Sequence, residues 1–357
     1  MGQRMDGRTS FSTKDPRPPS LWRSQTSVHR AGEGTEGQDM IRSQKGIALL
    51  MVLWVITMLM TLVISFSFLT RTDANSTIYF KEGTQEKFLA EAGMQRAIME
   101  IYHRQTYRTE TVVVEGNQVV RIDGRPNTGE IESGRYTFML LSESGKIDIN
   151  KMTDLTGVVV KNLLLNLEVP QERADVIVDS MLDWVDNDNL RRLNGAEDEY
   201  YQSLPVPYKA KNRPFDTVEE LLLVKGVSPE LLFGTVKRKG LIEFLTLYGT
   251  SSKININAAP REVLMALPGL TEDTLKRIAD QRETAEFTSV QDIQAITGLN
   301  FATLAQYIDM SETHVYTIES VGFQGDSKHG YGIRAVVSAG TTTPLFLYYK
   351  SPSEMRR

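Results

Sequence analysis

The sequence predicts an α+β protein: a long N-terminal helix whose first half spans a membrane, packed on a small antiparallel sheet that carries a large, mostly helical insertion. Three observations predict it. The stretch 47–70 runs for 24 residues without a charge. No proline occurs from there to Tyr107. Segments with strand patterning gather near 111–149 and again near 314–350, and the stretch between them is patterned as helices. At 357 residues, 41% hydrophobic and 24% charged, the chain is long enough to bury one large core or two smaller ones.

Residues 1–39 are rich in Gly, Ser, Thr, Arg and Pro and offer little beyond Trp22 to build a core. Met40 opens "MIRSQKG" and is the expected start of translation, with the first 39 positions an upstream reading. A long leader removed later is the alternative, and Met1 or Met5 is then the start. As a helix rising about 1.5 Å per residue, the charge-free run reaches roughly 36 Å, enough to cross a hydrocarbon core of about 30 Å. A cleaved secretory signal has an apolar region of only about 7 to 15 residues closed by a small-x-small site, and no such site closes this run. It therefore reads as a single-pass span. Arg42 and Lys45 precede it while Arg71 is balanced by Asp73, which favours a cytoplasmic N-terminus.

Beyond Thr70 the helical pattern continues. Ala90, Met94, Ala97, Ile98 and Ile101 recur on one face, so an amphipathic half extends the helix into a soluble domain. Gly83 is the expected place for a break, since glycine costs about 1 kcal/mol in a helix interior. Strands are expected in "TVVVEGNQVVRID" (111–123), "GRYTFMLLS", "VYTIESVGFQ", "YGIRAVVSAG" and "PLFLYYK". Helices are expected at 163–167, 173–185, 218–224, 262–267 and 274–282. An internal echo joins "SGKIDINKMTDLTGVVVKNLL" and "SSKININAAPREVLMALPGL", each a short strand feeding a helix. The resulting division is 1–46 leader, 47–70 membrane half, 71–149 first part of the helix-and-sheet domain, 150–312 inserted helical domain, and 313–357 final strands.

Within 180–227 the carboxylates crowd. Asp183, Asp186 and Asp188 lie at the end of an expected helix, and Glu197, Asp198 and Glu199 follow Gly195. A hard cation with oxygen ligands is one way to hold such a group, calcium taking six to eight. The spacing is not that of an EF-hand loop. A solvated acidic turn balanced by Arg191, Arg192 and Arg213 is the other reading.

Several function classes are excluded or disfavoured. With no cysteine there are no disulfides, CxxC zinc sites or thiol nucleophiles. "LLLVKGVSPELL" and "LMALPGLTEDTLKRIADQR" have the helix, glycine turn, helix pattern that can hold a phosphate. The second helix, however, opens on Glu272 and Asp273, and residues 219–300 carry nine basic against eleven acidic side chains, so no nucleic-acid partner is expected. The four histidines, His29, His103, His314 and His329, are scattered, and no hydrolase elbow, HExxH, P-loop or dinucleotide fingerprint occurs. No enzyme is expected.

The order Lys45, Gly46, then an apolar residue opening a long helix resembles the processing site of type IV pilins and type II secretion pseudopilins. The resemblance implies that a prepilin peptidase cuts after Gly46 and methylates Ile47. Most members carry glutamate at the fifth mature position; this chain has Met51. Lack of that glutamate, with "LDWVDND", "GAEDEYY", "NRPFDTVEEL" and the "ININ" and "LPG" wording, is similar to the general secretion pathway protein K family of minor pseudopilins. What this implies is a pilin-like helix and sheet carrying an inserted helical domain, and calcium in that domain, with Asp183, Asp186, Asp188, Glu197 and Asp198 as candidate ligands. It also implies a place at the filament tip beside the I- and J-type minor pseudopilins, above the major pseudopilin. A carboxylate in the bilayer costs about 2.5–3.5 kcal/mol and is kept only with a partner, so a subunit with no neighbour above tolerates Met51. A minor type IV pilin, or a membrane-anchored receptor for nucleic acid using the hairpin-like segments, are the alternative readings.

Overall fold

The computed structural model describes residues 39–107, 119–132, 134–249, 251–298, 304–325 and 330–353, with side chains from Gly46 onward. The chain divides into two compact units between Asp73 and Ala74. In chain order the elements are α1 (Asp39–Tyr107), β1 (Asp123–Ile131), β2 (Gly134–Ser142), β3 (Ile147–Asp148), α2 (Asp154–Asn166), α3 (Gln171–Val185) and α4 (Asp198–Gln202). They continue with α5 (Pro229–Phe233), β4 (Leu245–Thr246), β5 (Ile254–Asn255), α6 (Arg261–Met265), α7 (Glu272–Thr284), α8 (Val290–Thr297), β6 (Ile308–Asp309), β7 (Val315–Gln324), β8 (Tyr331–Ser338) and β9 (Leu345–Lys350).

The first unit is the apolar half of α1, the one helix among the described residues long and apolar enough to cross a membrane. Its threonines carry no unsatisfied hydroxyl. Thr57, Thr61 and Thr70 donate to the carbonyls of Trp54, Thr57 and Phe66 at 2.8, 2.7 and 2.9 Å. Such bonds back onto the helix let a polar side chain enter lipid without an orphaned donor.

In the second unit α1 runs on without a break. Gly83 lies inside the helix, contrary to expectation, because its side is open and one glycine is a small penalty in a helix of 69 residues. Ala90, Met94, Ala97, Ile98 and Ile101 are buried as the periodicity required. They pack on Phe138 and Leu140 of β2, Tyr316 and Ile318 of β7, and Ile333, Ala335 and Val337 of β8. The sheet is antiparallel with order β1-β2-β7-β8-β9. Gly322 of β7 lets strand and helix backbones meet: a Cβ there would strike the Glu86 carbonyl and lie 2.5 Å from the Ala90 nitrogen.

One strand corrects the sequence reading. Most of 111–123 lies outside the described residues, and Val119, Val120 and Arg121 are not strand. The strand β1 is instead "DGRPNTGEI", a poor strand by composition. It is tolerated at the sheet edge, where the register slips between Asp123 and Pro126 and a proline without N–H does least harm.

The internal echo is a structural duplication. In the first module Ile147 and Ile149 donate to the carbonyls of Phe244 and Thr246 at 2.9 and 3.1 Å; in the second, Ile254 and Ile256 donate to Tyr307 and Asp309 at 2.8 and 3.0 Å. Each module is thus closed by a parallel two-stranded clip, β3 with β4 and β5 with β6. Asn150 grips the backbone of Phe215, donating to its carbonyl at 3.0 Å and accepting from its N–H at 2.7 Å. Asn257 grips Phe287 in the same way at 2.9 and 2.8 Å. After each phenylalanine, "DTVEEL" and "TSVQDI" fold back alike: Glu220 accepts from the Asp216 N–H at 2.9 Å and Asp292 from the Thr288 N–H at 3.2 Å. Turns at Gly226 and Gly298, with φ of 88° and 69°, then reverse the chain. The modules share one core, from Ile147 to Ile308. They differ between the second long helix and the phenylalanine: 186–214 separate α3 from Phe215, whereas only Ala285 and Glu286 separate α7 from Phe287.

Candidate metal centre

That longer segment of the first module holds the acidic cluster. It leaves α3 at Asp186, whose N–H donates to the Leu182 carbonyl at 3.2 Å. Beneath it Trp184 is buried with its ring 5.2 Å from Tyr201 and 6.2 Å from Tyr208, both edge-on, and 6.4 Å from the stacked Phe215. The tyrosines therefore pack the loop. The segment passes over Asp183 at Gly195, where a Cβ would strike the Asp183 carboxylate, and reaches Glu197 at the start of α4.

Of the five expected ligands, three come together. Asp186, Asp188 and Glu197 each offer a carboxylate oxygen, and these lie within 4.8 Å of one another. The other two are engaged elsewhere. Asp183, fully buried, accepts from the Arg192 guanidinium at 2.8 Å and from its N–H. Asp198 accepts from the Ala210 N–H at 2.9 Å and pairs with Lys209 at 3.5 Å. Arg192 also reaches Asp186 at 2.5 Å, so it neutralises part of the cluster from one side; Arg191 is exposed.

Glu197 is the telling residue. It is 3% exposed, and neither of its oxygens has a hydrogen-bond partner. Burial first, and then the charges of Asp183, Asp186, Asp188 and Asp198, push its carboxyl up to about 7. One Asp186 oxygen is buried and unpartnered as well. Leaving such groups unmatched is costly, because a buried charge needs a counter-charge. Oxygens bound to one calcium at about 2.4 Å can be at most about 4.8 Å apart, so the three carboxylates fit a hard cation. Sequence reasoning missed a further orphaned polar group, on a residue bonded to Asp188. Asn212 has left-handed backbone (φ 49°) and donates to the Asp188 carbonyl at 2.9 Å, while its own side-chain oxygen is buried without a partner. The one hint in the sequence was an asparagine, among the residues that best tolerate that backbone, within the acidic stretch.

The processing-site residues lie elsewhere. Gly46, Ile47 and Met51 all fall within α1, with Ile47 and Met51 exposed in the first unit.

Comparison with known proteins bears on the whole arrangement. Residues 139–233 and 254–311 match two sequence models, each described as type II secretion system (T2SS), protein K. The chain belongs to the type II secretion system protein K family. The two matches fall one on each module of the helical insertion. The type II secretion system protein K of Pectobacterium carotovorum subsp. carotovorum is 31% identical over 186 residues, which are 50% of this chain and 55% of that protein. The Klebsiella pneumoniae protein of the same description is 29% identical over 54% of this chain and 61% of its own length. The chain thus spans little more than half the length of these curated relatives. Among solved structures, a chain of the GspK-GspI-GspJ complex from the enterotoxigenic Escherichia coli type 2 secretion system superposes with a TM-score of 0.54. The superposition covers 79% of this chain and all of that one at 16% identity, a likeness of fold. The expected fold class, a long helix on an antiparallel sheet with a helical insertion, is that of this K-family member.

Proposed function

We propose that this K-family chain is a minor pseudopilin of a type II secretion system, standing at the tip of the pseudopilus. One observation carries the reading: α1 passes without a break from a charge-free apolar half to an amphipathic half that is packed on a sheet. Such a helix can be held in lipid before assembly and can serve as packing surface afterwards. Prepilin peptidase cuts between Gly46 and Ile47, Ile47 becomes the methylated terminus, and the chain is a single-pass inner-membrane protein with its globular part in the periplasm. Met51 leaves it no carboxylate to offer a neighbour's terminal amine, which suits a subunit with nothing above it. Its partners in initiating or capping the filament are the I- and J-type minor pseudopilins, a reading supported by likeness to a GspK-GspI-GspJ complex, with the major pseudopilin below. The work done is mechanical, moving folded proteins toward an outer-membrane channel, and no catalysis is assigned to it.

The acidic segment is proposed to hold calcium through Asp186, Asp188 and Glu197 with the side-chain oxygen of Asn212. Bound there, the ion supplies the positive charge that the buried Glu197 lacks and ties the segment to the end of α3. Mass spectrometry of the mature N-terminus, with and without co-expressed prepilin peptidase, tests the assignment. A terminus of N-methylated Ile47 is expected only with the peptidase. An uncut chain, or a cut elsewhere, removes its foundation.

A further inference from the structure

The second module has no acidic insertion, yet the same junction carries buried charge. Glu286 stands immediately before Phe287, where the insertion of the first module ends before Phe215. It grips Arg104 of α1, which is 2% exposed and 182 residues away, at 2.7 and 2.8 Å. On the same guanidinium Glu312, at the return from the helical domain to β7, accepts at 2.6 Å and the Val120 carbonyl at 3.1 Å. Burial alone would weaken the charge on Arg104, but the hydrogen bonds and charges of the two glutamates outweigh it and hold it protonated. Beside this joint Arg125 of β1 forms a two-pronged pair with Glu283 at 2.9 and 3.1 Å and is itself held by Asp123 at 2.8 Å. Ala258, just after β5, completes the core between α1 and the sheet.

We propose that Arg104 is the internal cation of the second module. Where the first module gathers carboxylates for an ion from solution, the second closes its equivalent junction on a guanidinium supplied by α1. The joint between α1 and the helical domain then needs no metal ion, whereas the acidic segment of the first module does; that contrast rests on the calcium reading above. The helix that enters the filament and the module resting on it stay coupled whatever the periplasmic calcium level. Only the outer segment, 186–201, responds to it.

Hydrogen exchange read by mass spectrometry on the full chain in detergent separates the possibilities. In the unaltered chain a calcium chelator is expected to speed exchange at 186–201 by roughly tenfold while leaving 282–287 and 309–313 protected. With calcium present, Arg104→Met is expected to speed exchange at 282–287 and 309–313 by roughly tenfold and leave 186–201 unchanged. Glu286→Gln keeps one neutral acceptor on Arg104 and provides a milder version should Arg104→Met fold poorly. Chelation that loosens both regions together overturns the proposal, and so does a Glu286→Gln chain whose 282–287 segment stays fully protected. Chelation that moves neither region, with both variants loosening the joint, upholds the role of Arg104 and removes calcium from the first module.

Discussion

Replacing Glu197 by glutamine should stabilise the calcium-free protein and lose most of that gain when calcium is present. The side chain is 3% exposed, both its oxygens lack partners, and it stands among four like charges of which two, Asp186 and Asp188, come within 4.8 Å. Without an ion, an unmatched buried carboxylate costs several kcal/mol. Glutamine removes the charge but leaves a buried amide wanting hydrogen bonds, at about 1–3 kcal/mol. The net expectation is that Glu197→Gln stabilises the calcium-free protein by about 1–2 kcal/mol, a rise in Tm of roughly 2–8 °C for a domain of this size. With calcium most of that gain is offset. At a hundredfold excess over its Kd the ion stabilises by about 2.7 kcal/mol. Loss of one of three carboxylates weakens binding by at least about tenfold, which cuts that gain by about half. Thermal unfolding of the full chain in detergent, followed by the fluorescence of Trp184 in a chain with Trp22 and Trp54 changed to phenylalanine, reads both arms. If Glu197→Gln lowers Tm equally in chelator and in calcium, Glu197 is a packing residue and the metal reading is wrong.

Three further expectations follow from the packing. Asn150→Ala and Asn257→Ala each remove two hydrogen bonds to a phenylalanine backbone, and each should cost about 2–3 kcal/mol in denaturant unfolding; an effect confined to one would deny the equivalence of the modules. Gly322→Ala drives a methyl group into the backbone of α1 at Glu86 and Ala90, so the soluble yield should fall sharply while Gly83→Ala, in open space, is neutral or stabilising by up to about 1 kcal/mol. Lys146→Met strands the buried Glu143, which Lys146 and Thr317 both hold, and should destabilise by about 3–5 kcal/mol, with Glu143→Gln in the same chain recovering part of the loss by calorimetry.

Much of the fold is legible where one local pattern decides it. The apolar half of α1 needs only a count of uncharged residues, and its second half only the one-face spacing of Ala90, Met94, Ala97, Ile98 and Ile101. The helix over 171–185 and the strands β7 and β8 are legible for the same reason. β1 is not, because an edge strand answers to its neighbour: "DGRPNTGEI" pairs since β2 offers it a ladder, and its own residues argue against it. The acidic cluster is legible as a cluster, but its division of labour is not. Arg192 takes Asp183 and the Ala210 N–H takes Asp198, and neither contact is implied by spacing. Arg104 did leave a trace. It falls on the same helix face as Ala97 and Ile101, and a charge on an apolar stripe asks for a buried partner.

The duplication explains why that partner is a glutamate of the second module. Two copies of one fold repeat the problem of their junction: the chain must cross from a long helix to the clamped phenylalanine, and polar groups gathered there are cut off from water. The first copy has a long crossing that gathers several carboxylates, an arrangement suited to something small and mobile such as an ion. The second crosses in two residues and rests against α1 and β1, leaving no room for a loop of ligands but placing Arg104 within reach. A cation fixed to the backbone costs no affinity and cannot be withdrawn. The module next to α1 is therefore the one that gains most from a guanidinium, and the other module is the one that can tolerate dependence on an ion from solution.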